Sequence, residues 1–173
     1  MKITFEKKIS DKDHVVIIKN NDKPFNSQLL TNELRSTLKS ALVVSKKKDE
    51  HLDLFHYNTK KGLESFTVAK FNNYSTENHK YKLEAFGGRI FSFLENKKID
   101  RVALFFDDMG NHDNFLDHII KGMQLKSYRF EKYKKRTKKI FKVENLKIID
   151  VNNSVTKSKQ NIISSKINVK GNF

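Results

Sequence analysis

The sequence predicts an α/β domain, a mixed and mainly parallel sheet between helices, on three observations. Residues 15–18, VVII, and residues 102–106, VALFF, are unbroken apolar runs of strand length, the pattern of central strands buried on both faces. Two segments carry one apolar stripe each: Leu83, Phe86, Gly87, Ile90, Phe91 and Leu94 in the first, Phe115, Leu116, Ile119, Ile120 and Met123 in the second. That spacing gathers the apolar residues on one side of a helix, which then needs a sheet to cover. Strand, helix, strand, helix in this order is the signature of parallel βαβ units.

In chain order, Ile3 and Phe5 alternate with polar neighbours, so residues 2–6 read as a short half-exposed strand. After the 15–18 run, Asn20, Asn21, Asp22 and Pro24 make a turn. Asn26 or Ser27 then caps a helix whose apolar positions are Leu29 or Leu30, Leu34, Leu38, Ala41 and Leu42. Leu52, Leu54 and residues 55–57 predict a strand, residues 60–62 a turn, and Phe66, Val68 and Phe71 a second strand paired with the first as a hairpin. A long helix is expected from Ser75 or Thr76 to Asn96, with Glu77 helping to close its start. Gly87 and Gly88 lie inside it and cost roughly 1 kcal/mol each relative to Ala, so a tight crossing against the sheet is expected there. The following helix is polarised to suit its dipole, with Asp113 and Asp117 early and Lys121 and Lys126 late. Its Gly122 implies a neighbouring backbone close by. Leu146, Ile148, Ile149 and Val151 predict the last strand, and residues 155–166 a final helix with Ile162 and Ile163 in its stripe.

Composition bounds the class. At 173 residues the chain has the size of one domain, and 14 Phe supply bulky core material that a disordered chain lacks. There is no Cys, which excludes disulfides and thiolate ligands and suits a reducing cytosol. The opening MKITFEKKISDK has no apolar core of signal-peptide length, and no later run approaches the roughly 18 apolar residues of a spanning helix. The chain therefore reads as cytoplasmic, with no membrane partner. Its net charge of +15 attracts polyanions at low salt. A general lysine bias of an AT-rich genome accounts for the same charge without a partner.

One constellation resembles a metal site: Asp107, Asp108, His112, Asp113, Asp117 and His118. Its spacing argues against one, because His112 and His118 stand about 240° apart around a helix at 100° per residue. The six histidines show no His-Glu-x-x-His spacing and no nucleophile partner, and most read as surface residues. Gly62, Gly87, Gly88, Gly110, Gly122 and Gly171 form no closely spaced loop of the kind that cradles phosphate.

The helix over residues 115–123 runs into an aromatic and basic tail, where Tyr128, Phe130 and Tyr133 alternate with Arg129, Lys132, Lys134, Lys135 and Arg136. With Lys138 and Lys139 these cations are the candidate nucleic-acid contacts; the plainer reading is a solvated basic turn packed over its own aromatics. The pattern Gly-x-x-Leu, Tyr-x-Phe, x-x-Tyr-Lys, at Gly122, Leu125, Tyr128, Phe130, Tyr133 and Lys134, resembles the end of the N-terminal domain of the leucyl aminopeptidase (cytosol aminopeptidase) family. The order of elements on both sides agrees with that domain, so the resemblance takes in essentially the whole chain.

The resemblance implies a macro-domain-like fold, with residues 1–152 as a non-catalytic N-terminal domain. Residues 153–173 become a helix and connection leading to a C-terminal catalytic domain that is absent from this sequence. It implies a parent metallo-aminopeptidase that removes N-terminal residues from peptides, uses two divalent metals (Zn or Mn) in the catalytic domain and assembles as a homohexamer. The family's catalytic segment, with its Asn-Thr-Asp-Ala-Glu-Gly-Arg motif, does not occur in this sequence. No catalytic, cofactor or metal residue is therefore carried over, and the role implied for this chain is architectural. Nucleic-acid binding by the 126–139 segment is the alternative, and nucleotide or ADP-ribose binding, through the macro-domain likeness, a third.

Overall fold

The computed structural model describes residues 1–20, 30–44, 50–71, 79–106, 115–128 and 143–149. They form β1 (Lys2–Glu6), β2 (His14–Asn20), α1 (Asn32–Val44), β3 (His51–Thr59), β4 (Gly62–Phe71), α2 (His79–Asn96), β5 (Arg101–Phe106), α3 (Phe115–Ser127) and β6 (Asn145–Ile149). The strands make one sheet in the order β1-β6-β5-β2-β4-β3. Every neighbouring pair is parallel except the β3–β4 hairpin. The α/β class and the mainly parallel sheet are as the sequence predicts.

The apolar runs are unbroken because successive strand residues point to opposite faces and both faces are covered. Val16, Ile18, Val102 and Leu104 join one core with the stripes of α2 and α3. Val15, Ile17, Ala103 and Phe105 join the other with Leu34, Leu38 and Ala41 of α1. The result is three layers. β1, at an edge, alternates as expected, with Ile3 and Phe5 turned to the α2–α3 core.

Three details differ from the sequence reading. Thr31 opens α1, its Oγ1 accepting from the Leu34 amide at 3.3 Å, so the helix starts after Asn26 and Ser27, which lie outside the described residues along with Leu29. The glycines of α2 cross another helix, α3, and not the sheet. A Cβ on Gly87 would collide with the Ile119 carbonyl, and one on Gly122 with the Glu84 carbonyl, whereas one on Gly88 would make ordinary contacts. Gly87 and Gly122 thus open the way for two backbones to meet. Finally, α2 ends with Lys98 in the left-handed region at φ 57°. Its amide bonds to the Glu95 carbonyl and the Ile99 amide to the Leu94 carbonyl, the hydrogen-bond pair of a Schellman cap in which Gly is the usual residue. Ser75, Thr76 and Glu77, expected to open that helix, lie outside the described residues, as do Val151 and the expected helix over residues 155–166.

The connection from β1 to β2 is short and well anchored. Ile9 packs on the α1-side core, and the Asp13 carboxylate, with no exposed side-chain surface, meets Lys147 Nζ at 2.6 Å and Arg101 Nε at 3.4 Å. One carboxylate thereby ties this crossing to β6 and β5.

Candidate functional site

Ligands of open α/β sheets bind beyond the carboxyl ends of the parallel strands. Here β2, β4 and β5 end at Asn20, Phe71 and Phe106, and the residues that follow lie outside the described set. At the last turns of β2 and β4 the structure brings together Lys19 and Lys70, paired in register and both buried. Sequence reasoning missed them. The signal was present: Val15, Ile17 and Lys19, like Phe66, Val68 and Lys70, alternate along one face, so a lysine continuing that series points toward the α1 layer.

The proposed nucleic-acid contacts, Arg129, Lys132, Lys134, Lys135, Arg136, Lys138 and Lys139, lie outside the described residues, as do Phe130 and Tyr133. The described part leads up to them with an exposed face, Leu125 at 58% and Tyr128 at 51%. Of the acidic and histidine constellation, Asp107, Asp108, His112 and Asp113 are also outside. His118 faces α2, its Nδ1 3.3 Å from Glu84 Oε1, while Lys121 Nζ donates to the same oxygen at 2.8 Å. Burial by itself pushes Glu84 up, but Lys121 and His118 outweigh it and hold the carboxyl below its ordinary range. This is an interhelical bracket across the α2–α3 crossing. Among the described residues no three metal-ligating side chains converge.

The histidines depart from the surface role expected for most of them. Of the described five, His56 alone is exposed; His14, His51, His79 and His118 are half-buried. His79 stands edge-on to Phe115, ring centroids 4.4 Å apart, and His51 Nε2 lies 3.2 Å from Asp53. His14 opens β2 with Nε2 2.8 Å from Thr67 Oγ1 and Nδ1 3.3 Å from Ser65 Oγ. Burial, reinforced by the nearby His56, pushes its pKa down to about 4, so the ring is neutral at pH 7. A neutral imidazole between two hydroxyls resembles the start of a nucleophile–base pair. Activation would further need a group orienting the base and donors for an oxyanion, and both nitrogens are already occupied by β4. The arrangement knits β2 to β4.

The glycines occupy structural posts. Gly87 and Gly122 serve the helix crossing and Gly62, at φ 124°, turns the hairpin, so none of these three cradles a phosphate at a helix N-terminus. A shallow groove on the outside of α2 is lined by Ala85, Gly88 and Phe93 with Arg89, Ser92, Asn96 and Lys126 around them; the Arg89 guanidinium is held by Glu50, and the Ser92 hydroxyl donates to the Gly88 carbonyl.

No protein-family model and no curated protein sequence matches the chain. Solved structures do match it. The chain has the fold of part of a leucine aminopeptidase. It superposes on a mutant of tomato leucine aminopeptidase with a TM-score of 0.54 at 12% identity, covering 91% of this chain and 36% of that one. This likeness is one of fold, and the chain spans about a third of the enzyme's length. Of the motif that first suggested a leucyl aminopeptidase, Gly122 now has a physical role in the α2–α3 crossing, while Leu125 and Tyr128 are exposed.

Proposed function

We propose that this chain is the non-catalytic N-terminal domain of a two-metal leucyl aminopeptidase, with an architectural role beside its own catalytic domain in a hexameric cytoplasmic enzyme. The observation that carries the reading is the proportion of the fold likeness, nearly the whole of this chain against about a third of the enzyme. The motif from Gly122 to Lys134 supports it independently. In this reading the two divalent ions, Zn²⁺ or Mn²⁺, belong to the catalytic domain, and no catalytic step falls to a residue of this chain. The test is to read the gene beyond Phe173 and assay Leu-p-nitroanilide hydrolysis. The longer product should turn over with Zn²⁺ or Mn²⁺, and residues 1–173 should not. A stop codon directly after Phe173 overturns the reading, as does turnover by residues 1–173 that is lost on Asp108→Ala or His112→Ala.

The net charge of +15 favours a second reading, in which the 126–139 segment binds nucleic acid through its phosphates without reading sequence.

A further inference from the structure

His14, Ser65 and His56 stand in one row across three neighbouring strands. His56 is level with Ser65 in the β3–β4 register, and His14, one residue before the Val15↔Phe66 pair, comes level with Ser65 from the other side. Because strand residues alternate between faces, all three point the same way. Val16 and Ile18 continue the series of His14, Ala69 and Phe71 that of Ser65, and Leu52 lies in that of His56; each of these packs on the α2–α3 side. Neighbouring strands lie about 4.8 Å apart, so the two imidazoles leave the backbone about 9.6 Å from one another, with the short side chain of Ser65 between them.

We propose that His14 and His56 hold one divalent transition-metal ion of the Zn²⁺ class between them, above Ser65. Two imidazoles reaching toward each other span that separation, with the ion about 2.0–2.1 Å from each nitrogen. The hydroxyls of β4 prepare the His14 ring for the role. A ligating imidazole gives its other N–H to a fixed acceptor, which sets its tautomer and orientation. Thr67 Oγ1, on a fully buried residue and 2.8 Å from Nε2, is that acceptor. Nδ1 then turns its lone pair toward Ser65 and His56. The Ser65 contact there is the longer one, 3.3 Å, and a rotation of the serine about χ1 releases the nitrogen. His56 is exposed, so its ring can swing over Ser65, and water completes the coordination.

The donor set fixes the class of ion. Imidazole suits Zn²⁺, Ni²⁺ and Cu²⁺, whereas Mg²⁺ and Ca²⁺ require oxygen ligands. The net charge of +15 opposes any cation. At a ligand open to water that field is screened by salt, over a length of about 8 Å at physiological ionic strength. Binding should therefore tighten as salt rises, the reverse of a nucleic-acid complex.

Calorimetric titration of Zn²⁺ into the chelator-stripped chain, with the histidine ring signals followed by NMR, tests the proposal. One ion per chain is expected, shifting the ring signals of His14 and His56 and leaving that of His118 in place, without competition from Mg²⁺. An ion held by the folded row should also raise Tm. His56→Gln removes a ligand and should weaken binding more than about tenfold, the least that loss of even an outer partner costs, while leaving Tm without metal unchanged. Ser65→Cys sets a thiolate beside both imidazoles, in a chain that has no Cys, and should tighten binding by about tenfold or more, a change read directly from the dissociation constant. If Ser65→Cys does not fold, His56→Gln decides. Absence of saturable binding at micromolar Zn²⁺ overturns the proposal, as does binding that survives His56→Gln unchanged. A folded Ser65→Cys chain with no gain in affinity overturns it too.

Discussion

Replacing Gly87 or Gly122 by Ala sets two effects of opposite sign against each other, and the structure says which wins. Helix propensity alone favours Ala over Gly by about 1 kcal/mol at an interior position. Against that, a Cβ on Gly87 would sit 3.1 Å from the Ile119 Cα and closer still to its carbonyl, and a Cβ on Gly122 would sit 2.8 Å from the Glu84 Cα. Backbone cannot swing aside as a side-chain tip can, so α2 and α3 must part. Parting loosens Leu83, Phe86 and Ile90 against Ile119, Ile120 and Met123, all buried at the crossing. Overpacking of this kind costs about 1–3 kcal/mol and sometimes more, so after the propensity gain of about 1 kcal/mol each variant should lose up to about 2 kcal/mol net. Gly88 is the internal control. A Cβ there lies 3.8 Å from the Gly122 carbonyl oxygen, which is ordinary contact, and Gly88→Ala should gain about 0.5–1 kcal/mol from propensity. The double variant Gly87→Ala/Gly122→Ala should cost less than the sum, since one separation relieves both clashes. Urea unfolding followed by circular dichroism measures all four. If Gly87→Ala and Gly122→Ala stabilise as Gly88→Ala does, the crossing is not as close as described and the argument fails.

The half-buried His14 gives a pH prediction. Its folded pKa of about 4 lies below the ordinary 6.5, so the unfolded chain binds the proton more tightly. Stability should be full above pH 6.5 and fall by about 2–3 kcal/mol as pH drops toward 4, after a discount for partial exposure; His14→Gln should flatten that limb, and an unchanged acid limb would refute the assignment. Asp13→Ala leaves Lys147 and Arg101 facing each other without their carboxylate and should cost about 2–4 kcal/mol, toward the low end for a buried pair because both cations reach solvent. A loss under about 0.5 kcal/mol, the scale of a surface substitution, would show that the β1–β2 crossing does not depend on it. For the basic segment, log affinity for DNA should fall with log salt at a slope near −0.9 per phosphate neutralised. Reversing Lys134, Lys135 and Arg136 to Glu should flatten that slope, whereas absence of binding at about 50 mM salt would assign the charge to composition.

What the sequence made legible is what local pattern determines. Residues 15–18 and 102–106 could be read as central strands because burial on two faces leaves no polar residue in the run. The stripes of α2 and α3 were as plain, since one face of each meets the sheet. Gly87 and Gly122 each announced a close backbone, but propensity cannot say whose, and the answer, each other's helix, is a property of the pair. His14 was illegible for the same reason: its hydroxyl partners, Ser65 and Thr67, sit on another strand about fifty residues away.

Strand order lies beyond local pattern altogether. The first strand, β1, has β6 as its sheet neighbour, with Lys2 opposite Asn145 and Glu6 opposite Ile149. β6 in turn fills the place between β1 and β5. The N-terminal strand therefore finds its partner only after nearly all of the described chain has been made, and such long-range parallel pairing forms slowly because loop closure precedes its reward. The Asp13 carboxylate bears directly on this step, since it reaches β6 through Lys147 and β5 through Arg101 from the same crossing that brings β1 to the far edge. A chain cut before residue 145 keeps both apolar runs and both helix stripes, yet it leaves β1 without a neighbour and Asp13 without Lys147. The unit that folds must thus extend through β6, and the sheet cannot close from the βαβ pattern alone.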